Sequence, residues 1–169
     1  MARTHRLRIF LDSKYGLILE QSEALLRRSF PDNKVGRQLM YGGTMTILSL
    51  YSRHLLCLFP QHGPGYKHER EIRLEPWQVE ATQSHPWSLL RGLIRSDGCS
   101  FINRTGPYEY LSFYFSNRSK DIARIFEQAR RAVGVRFRSN HNDKRQLWEI
   151  RINRRESVAL ICEHVGVKR

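Results

Sequence analysis

Apolar positions along the chain switch twice from a period of two to a helical period. Near the start, Leu7, Ile9 and Leu11 alternate with Arg6, Arg8 and Phe10, which predicts a strand with one buried face. A helix follows over residues 16–28, carrying Leu17, Ile18, Leu25 and Leu26, and Pro31 stops it. Strands are expected at 35–40 and 44–51 around the turn Gly42-Gly43, then a short helix at 55–59. The same succession then returns. Leu111, Phe113 and Phe115 alternate with Tyr110, Ser112 and Tyr114, and residues 119–132 follow at helical period with Ile122, Ile125, Phe126 and Ala129 on one face. Gly134 ends that helix, and strands at 135–139 and 147–153 flank the polar turn Asn140-His141-Asn142-Asp143. Trp148, Ile150 and Ile152 share one side of the last strand, and a helix at 157–165 closes the second copy.

The repeated order of elements points to a duplication, with a first half at 1–60, a linker with one helix from Glu75 onward at 61–86, and a second half at 87–169. Composition adds a partner to this picture. Lys and Arg number 29 against 16 Asp and Glu, a net charge of +13, and the basic residues are spread through every segment rather than gathered in a tail. A folded surface of that sign attracts polyanions, and displacing counterions from phosphate is the usual source of affinity for them. Cys57, Cys99 and Cys162 share no close spacing, which argues against a disulfide framework or a zinc ribbon. Cys57, His62 and His68 cluster in sequence, but their spacing matches no zinc finger and offers no fourth ligand. The opening MARTHRLRIF lacks the apolar stretch of a signal peptide and no segment suits a membrane span, so a cytoplasmic protein is expected.

Ahead of the second copy stands the run from Leu89 to Gly98, a motif helix at 89–98. From Leu90 onward it resembles the LAGLIDADG motif of the homing endonuclease superfamily, with Leu90, Gly92, Leu93, Ile94, Asp97 and Gly98 in place. Gly92 lacks a Cβ and would let this helix approach a partner helix closely, while Leu90, Leu93 and Ile94 supply apolar contacts. The resemblance implies an α+β fold, a saddle of antiparallel sheet with helices on one face and double-stranded DNA against the other. Two similar halves are implied, the first lacking its motif helix.

On that fold the DNA-facing candidates are Cys99, Phe101 and Asn103; Tyr110, Ser112 and Tyr114; Arg136, Arg138 and Asn140; and Glu149, Arg151 and Asn153. The matching set in the first half is Arg6, Arg8 and Phe10, with Arg37, Ser49 and Tyr51. The resemblance further implies a Mg2+-dependent phosphodiester hydrolase, in which an acid from each of two motif helices holds the metal. Asp97 matches one such acid. Asn117 stands where the family places a polar residue that positions the attacking water, and Lys168 and Lys67 resemble the basic residue held near the scissile phosphate.

One departure bears on activity. The chain begins a few residues before its first strand, so a first motif helix and its acid are not expected in cis. The second acid then comes from a longer reading frame or from a homodimer through helix 89–98, or the protein only binds DNA. Three functions therefore share the scaffold: a site-specific DNA endonuclease, a non-catalytic DNA-binding transcription regulator, and an RNA-binding maturase-like protein. The target sequence, the oligomeric state and the role of 61–77 are not legible in the residues.

Overall fold

The computed structural model describes residues 4–66 and 68–168, which fold as two compact units meeting in sequence at His62 and Gly63. The first unit contains β1 (His5–Asp12), α1 (Gly16–Ser29), β2 (Gly36–Met40), β3 (Met45–Ser52) and α2 (Leu55–Leu58). Its antiparallel sheet has the order β1-β3-β2. The link between β2 and β3 is a tight turn in which Gly42 and Gly43 have φ of 65° and 92°, a left-handed backbone that favours glycine. Leu7, Ile9 and Leu11 pack on a core of Leu26, Phe30, Val35, Leu48, Leu50 and Leu55.

Helix α1 is rotated from its sequence expectation. It buries Ile18, Leu19 and Leu26, whereas Leu17 and Leu25 are exposed. Leu19 and Leu26 stand seven residues apart, two helical turns, and with Ile18 they define one stripe, which leaves Leu25 at its edge and Leu17 well round the helix.

The second unit contains α3 (Pro76–Ser84), α4 (Pro86–Asp97), β4 (Gly98–Thr105), β5 (Tyr108–Asn117), α5 (Lys120–Ala132), β6 (Arg138–Asn142), β7 (Leu147–Ile152) and α6 (Arg155–His164). Its sheet order is β4-β5-β7-β6, all antiparallel. The run β5-α5-β6-β7-α6 repeats β1-α1-β2-β3-α2 with the same strand order, and α4 and β4 precede it only in this unit.

Local chemistry sets these boundaries. Glu75 and Gln78 form a reciprocal cap around Pro76 at the start of α3, and Pro86 opens α4. Ser119 caps α5 by accepting the Ile122 N–H at 3.4 Å. The segment ahead of α3 is pinned, because Asp121 on α5 accepts the Ile72 N–H at 2.9 Å. Leu90 and Ile94 dock α4 into the core of Phe113, Phe115, Phe126, Ile150, Ile152 and Ile161, and full burial of such side chains contributes about 1.5–3 kcal/mol each.

One expectation is corrected here. The strand expected at 135–139 runs instead over Arg138–Asn142, so Asn140, His141 and Asn142 lie in β6 rather than in the turn. Gly134 ends α5 at φ 72°, Val135 turns into the core with its N–H on the Arg130 carbonyl at 3.0 Å, and the Arg136 N–H goes to Ser157 Oγ. Those bonds consume the backbone that strand pairing would need. Gly98 is required for a different reason than a left-handed turn: its φ is −104°, but a Cβ there would stand 2.7 Å from the Ile94 carbonyl oxygen and 2.9 Å from the Ile94 Cα.

Candidate nucleic-acid interface and acidic centre

In antiparallel sheets cross-strand partners share a face, so register decides which side chains can act together. In the second unit Phe113 pairs with Ile152 and Phe115 with Ile150, which defines the core face. The opposite face collects Cys99, Phe101 and Asn103 from β4, and Tyr110, Ser112 and Tyr114 from β5. Glu149 and Arg151 from β7 and Arg138, Asn140 and Asn142 from β6 complete it. Arg136 precedes β6 and Asn153 follows β7, both exposed. Ser112 sits on this face but is wholly buried, and its Oγ has no hydrogen-bond partner among the described residues.

The face is ordered by contacts among its own side chains. The Arg151 guanidinium lies 5.7 Å from the Tyr114 ring centroid, and its Nη2 is 3.6 Å from Glu149 Oε2. Glu149 is 4% exposed and accepts from the Asn142 amide at 3.2 Å and the Asn140 amide at 3.4 Å. The Tyr114 hydroxyl is bonded to the same carboxylate. Burial pushes the Glu149 carboxyl up, but hydrogen bonds from Asn142, Tyr114 and Asn140, with Arg151 alongside, outweigh it and hold the group below its ordinary value. Burial, then the bond to Glu149, raises Tyr114.

The first unit has a comparable face. Arg6 pairs with Tyr51, Arg8 with Ser49 and Phe10 with Ile47. The Arg6 guanidinium lies 5.3 Å from the Tyr51 centroid and Arg8 lies 5.6 Å from that of Phe10. Arg37, grouped with Ser49 and Tyr51 from the sequence, is corrected: it pairs with Leu48 on the core side, and its guanidinium stands 3.8 Å from Glu23 of α1. Gln38, paired with Ile47, takes the open face instead.

Three of the four residues expected at a catalytic centre lie around the C-terminal end of α4, and Lys67 lies outside the described residues. Asn117 is 4% exposed; its amide donates to Asp97 Oδ2 at 3.0 Å and its carbonyl oxygen accepts the Ser119 N–H at 2.9 Å. Lys168 donates to the Ser96 carbonyl at 3.4 Å, one residue from Asp97. The segment carrying Lys168 is anchored to α4, because Trp87 stacks on His164 at 4.2 Å and Arg91 donates to the His164 carbonyl.

A carboxylate such as that of Asp97, with phosphate oxygens and water, suits Mg2+, a hard ion that usually keeps several waters and binds through one or two acids. Among the described residues no group of three or more His, Cys, Asp or Glu gathers to hold an ion. His62 lies edge-on to His5 and His68 stacks on Tyr66. No helix among the described residues is long and apolar enough to cross a membrane.

No family model and no curated relative matches the sequence. Solved structures do. The homing endonuclease I-DmoI in complex with DNA and Mn aligns over 96% of this chain and 82% of its own, with a TM-score of 0.63 at 16% identity. The chain has a LAGLIDADG fold. The I-SmaMI LAGLIDADG homing endonuclease bound to cleaved DNA aligns over 97% of this chain and 73% of its own, TM-score 0.59 and 10% identity. The N-terminal LAGLIDADG domain of WhiA aligns over 99% and 78%, TM-score 0.56 and 15% identity.

Within this LAGLIDADG scaffold, sequence reasoning missed Asn142 and Gln38. A β6 shifted by three residues would have exposed Asn142, and pairing each β2 residue to its β3 neighbour would have moved Arg37 and recruited Gln38. The burial of Glu149 had no signal in the sequence, because it depends on donors from two other strands.

Proposed function

We propose that the protein binds double-stranded DNA through the open sheet face of its second unit, with the comparable face of the first unit contributing. The observation that carries this reading is the gathering of Phe101, Asn103, Tyr110, Tyr114, Arg138, Asn140 and Arg151 on one face of a LAGLIDADG sheet. Guanidinium groups serve phosphates and guanine edges, amides serve base edges, and aromatic rings pack on sugars and bases. Arg6 and Arg8 make the face of the first unit basic in its own right, and in the second unit exposed Arg136 and Asn153 stand beside the ends of β6 and β7.

The same reading gives the chain half of a hydrolytic centre. Asp97 would supply one carboxylate to Mg2+, Asn117 fixes its orientation, and Lys168 stands within reach of a phosphate brought to that point. Two-metal hydrolysis needs a further acid, which a second copy docking through α4 would provide in trans. I-DmoI has been solved on DNA in the presence of Mg, which supports that choice of metal. A non-catalytic DNA-binding regulator is the second reading, favoured by the commitment of Asp97 Oδ2 to Asn117.

The test is binding and cleavage of a random duplex pool at about 100 mM salt, where weak phosphate contacts are screened. Mg2+ or EDTA is supplied, Asp97→Asn is run in parallel, and a structured RNA serves as competitor. Cleavage that needs Mg2+ and vanishes in the variant establishes the endonuclease. Selective binding without cleavage establishes the regulator. A preference for the RNA moves the protein to the maturase-like class, and failure to bind either overturns the reading.

A further inference from the structure

The one acid at the centre of the open face is Glu149, and its place there costs charge complementarity to a polyanion. A surface meant only to attract phosphate would be better without it. Cross-strand register puts Arg138 directly opposite Arg151, a like-charge pair that a neighbouring carboxylate relieves. The carboxylate does more than neutralise, because it takes donors from every strand around it.

An ionised carboxylate can only accept, so each side chain bound to it must turn a donor inward. Asn140 and Asn142 both point their amide nitrogens at Glu149; the Asn142 oxygen then accepts the Arg145 N–H at 3.2 Å in the β6–β7 turn, and the oxygen of exposed Asn140 is turned away from the carboxylate as an acceptor. Tyr114 shares the same carboxylate and stacks with the Arg151 guanidinium. Arg151 Nη2 stands 3.6 Å from Glu149 Oε2, an ion pair that draws the guanidinium toward the carboxylate and turns its other N–H edge outward. Side by side, the patch offers the donors of a guanidinium and the acceptor of one amide.

Resting on the DNA-binding reading above, we infer that Glu149 is a positioning residue that sets base preference: it fixes the donor–acceptor polarity of Asn140 and Arg151 so that the patch selects G·C pairs. In the major groove a G·C pair presents the O6 and N7 acceptors of guanine beside the N4 amino donor of cytosine. Arg151 matches the first and the outward Asn140 oxygen matches the second. A·T pairs present N6 and O4 in an arrangement that leaves the guanidinium without its paired acceptors.

The experiment is selection from a random duplex pool with wild-type protein and with Glu149→Gln, followed by affinities for the selected duplex and an A·T-substituted one. Unfolding midpoints are measured alongside. The wild type is expected to prefer G·C by about tenfold at one or more positions, the scale of a single good bidentate contact. In E149Q the amide can donate as well as accept, so the preference at those positions drops to about twofold or less. Affinity for unrelated duplex stays level or rises because a negative charge is gone.

A purely structural Glu149 would lower the midpoint of E149Q yet leave the base preference of its folded fraction unchanged, and that result overturns the inference. Should E149Q not fold, Asn140→Leu carries the test: it removes one oriented acceptor at an exposed site and must weaken the same G·C preference, with an unchanged profile overturning the inference. A wild-type pool that binds tightly with no base preference overturns it while leaving DNA binding intact. A wild type that binds no duplex removes the DNA reading itself.

Discussion

Asn117 spends its amide inside the protein, joining the Asp97 carboxylate to the N-cap of α5 through Ser119. Asn117→Ala should therefore lower stability by about 1–3 kcal/mol, the cost of leaving buried hydrogen-bonding groups unpaired, as measured by denaturant unfolding. Glu149 makes a prediction in pH. Its folded value lies below the ordinary 4.5, so its contribution is fully present above that value and is lost as pH falls through the lower folded one. The gap in unfolding midpoint between wild type and E149Q should be widest near neutral pH and narrow in acid below the ordinary carboxylate range. A gap independent of pH would mean that the ionised carboxylate is not what the amides and Arg151 stabilise. Residue identities along β5 were legible from strict alternation, whereas the Asp97–Asn117 bond was not, since the two side chains are 20 residues apart and only the packed α4 and β5 bring them together.

Among the elements, α4 carries the most information in the least sequence. Its glycines have opposite roles. Gly98 is closed in by the Ile94 backbone, so Gly98→Ala must displace β4 from the end of α4 and should destabilise by about 1–3 kcal/mol, the range for overpacking. Beyond its chain neighbours and the backbone of its own helix, no described atom lies within 4 Å of where a Cβ would stand on Gly92, so Gly92→Ala should stabilise the isolated chain by up to about 1 kcal/mol through helix propensity. If a second copy docks there, the same methyl group must weaken self-association. Sedimentation of G92A against wild type, with a thermal melt of each, separates the two effects. Helix α4 was legible because apolar spacing, Asp97 and the terminal Gly98 agree with one another. Strand β6 was misplaced because polar Asn140, His141 and Asn142 look like a turn, and only the bonds of Val135 and Arg136 to α5 and Ser157 delay the start of pairing. The phase of α1 was misread because Leu17-Ile18-Leu19 is apolar throughout, so the stripe is decided by which of them the sheet covers.

Over the whole chain, net charge and fold make separate statements about DNA. A charge of +13 accounts for attraction to any polyanion, and says nothing of bases. The LAGLIDADG fold is shared with three solved examples at 10–16% identity, a likeness of fold that by itself names no base-reading side chain. Binding energy and base preference should accordingly reside in different arginines of the same face. Arg138 stands at the edge of the sheet on β6, whereas Arg151 is held beside the Glu149 carboxylate. Arg138→Ala should weaken all duplexes alike and reduce the slope of log K against log salt by about one, as for a lost phosphate contact. Arg151→Ala should instead lose affinity chiefly for the selected duplex, by about tenfold, with a smaller change in that slope. Salt titrations of both variants on selected and unrelated duplexes distinguish these outcomes. Equal effects of the two variants on both duplexes would mean that the face recognises charge alone, and that the order imposed by Glu149 serves the sheet and not the reading of DNA.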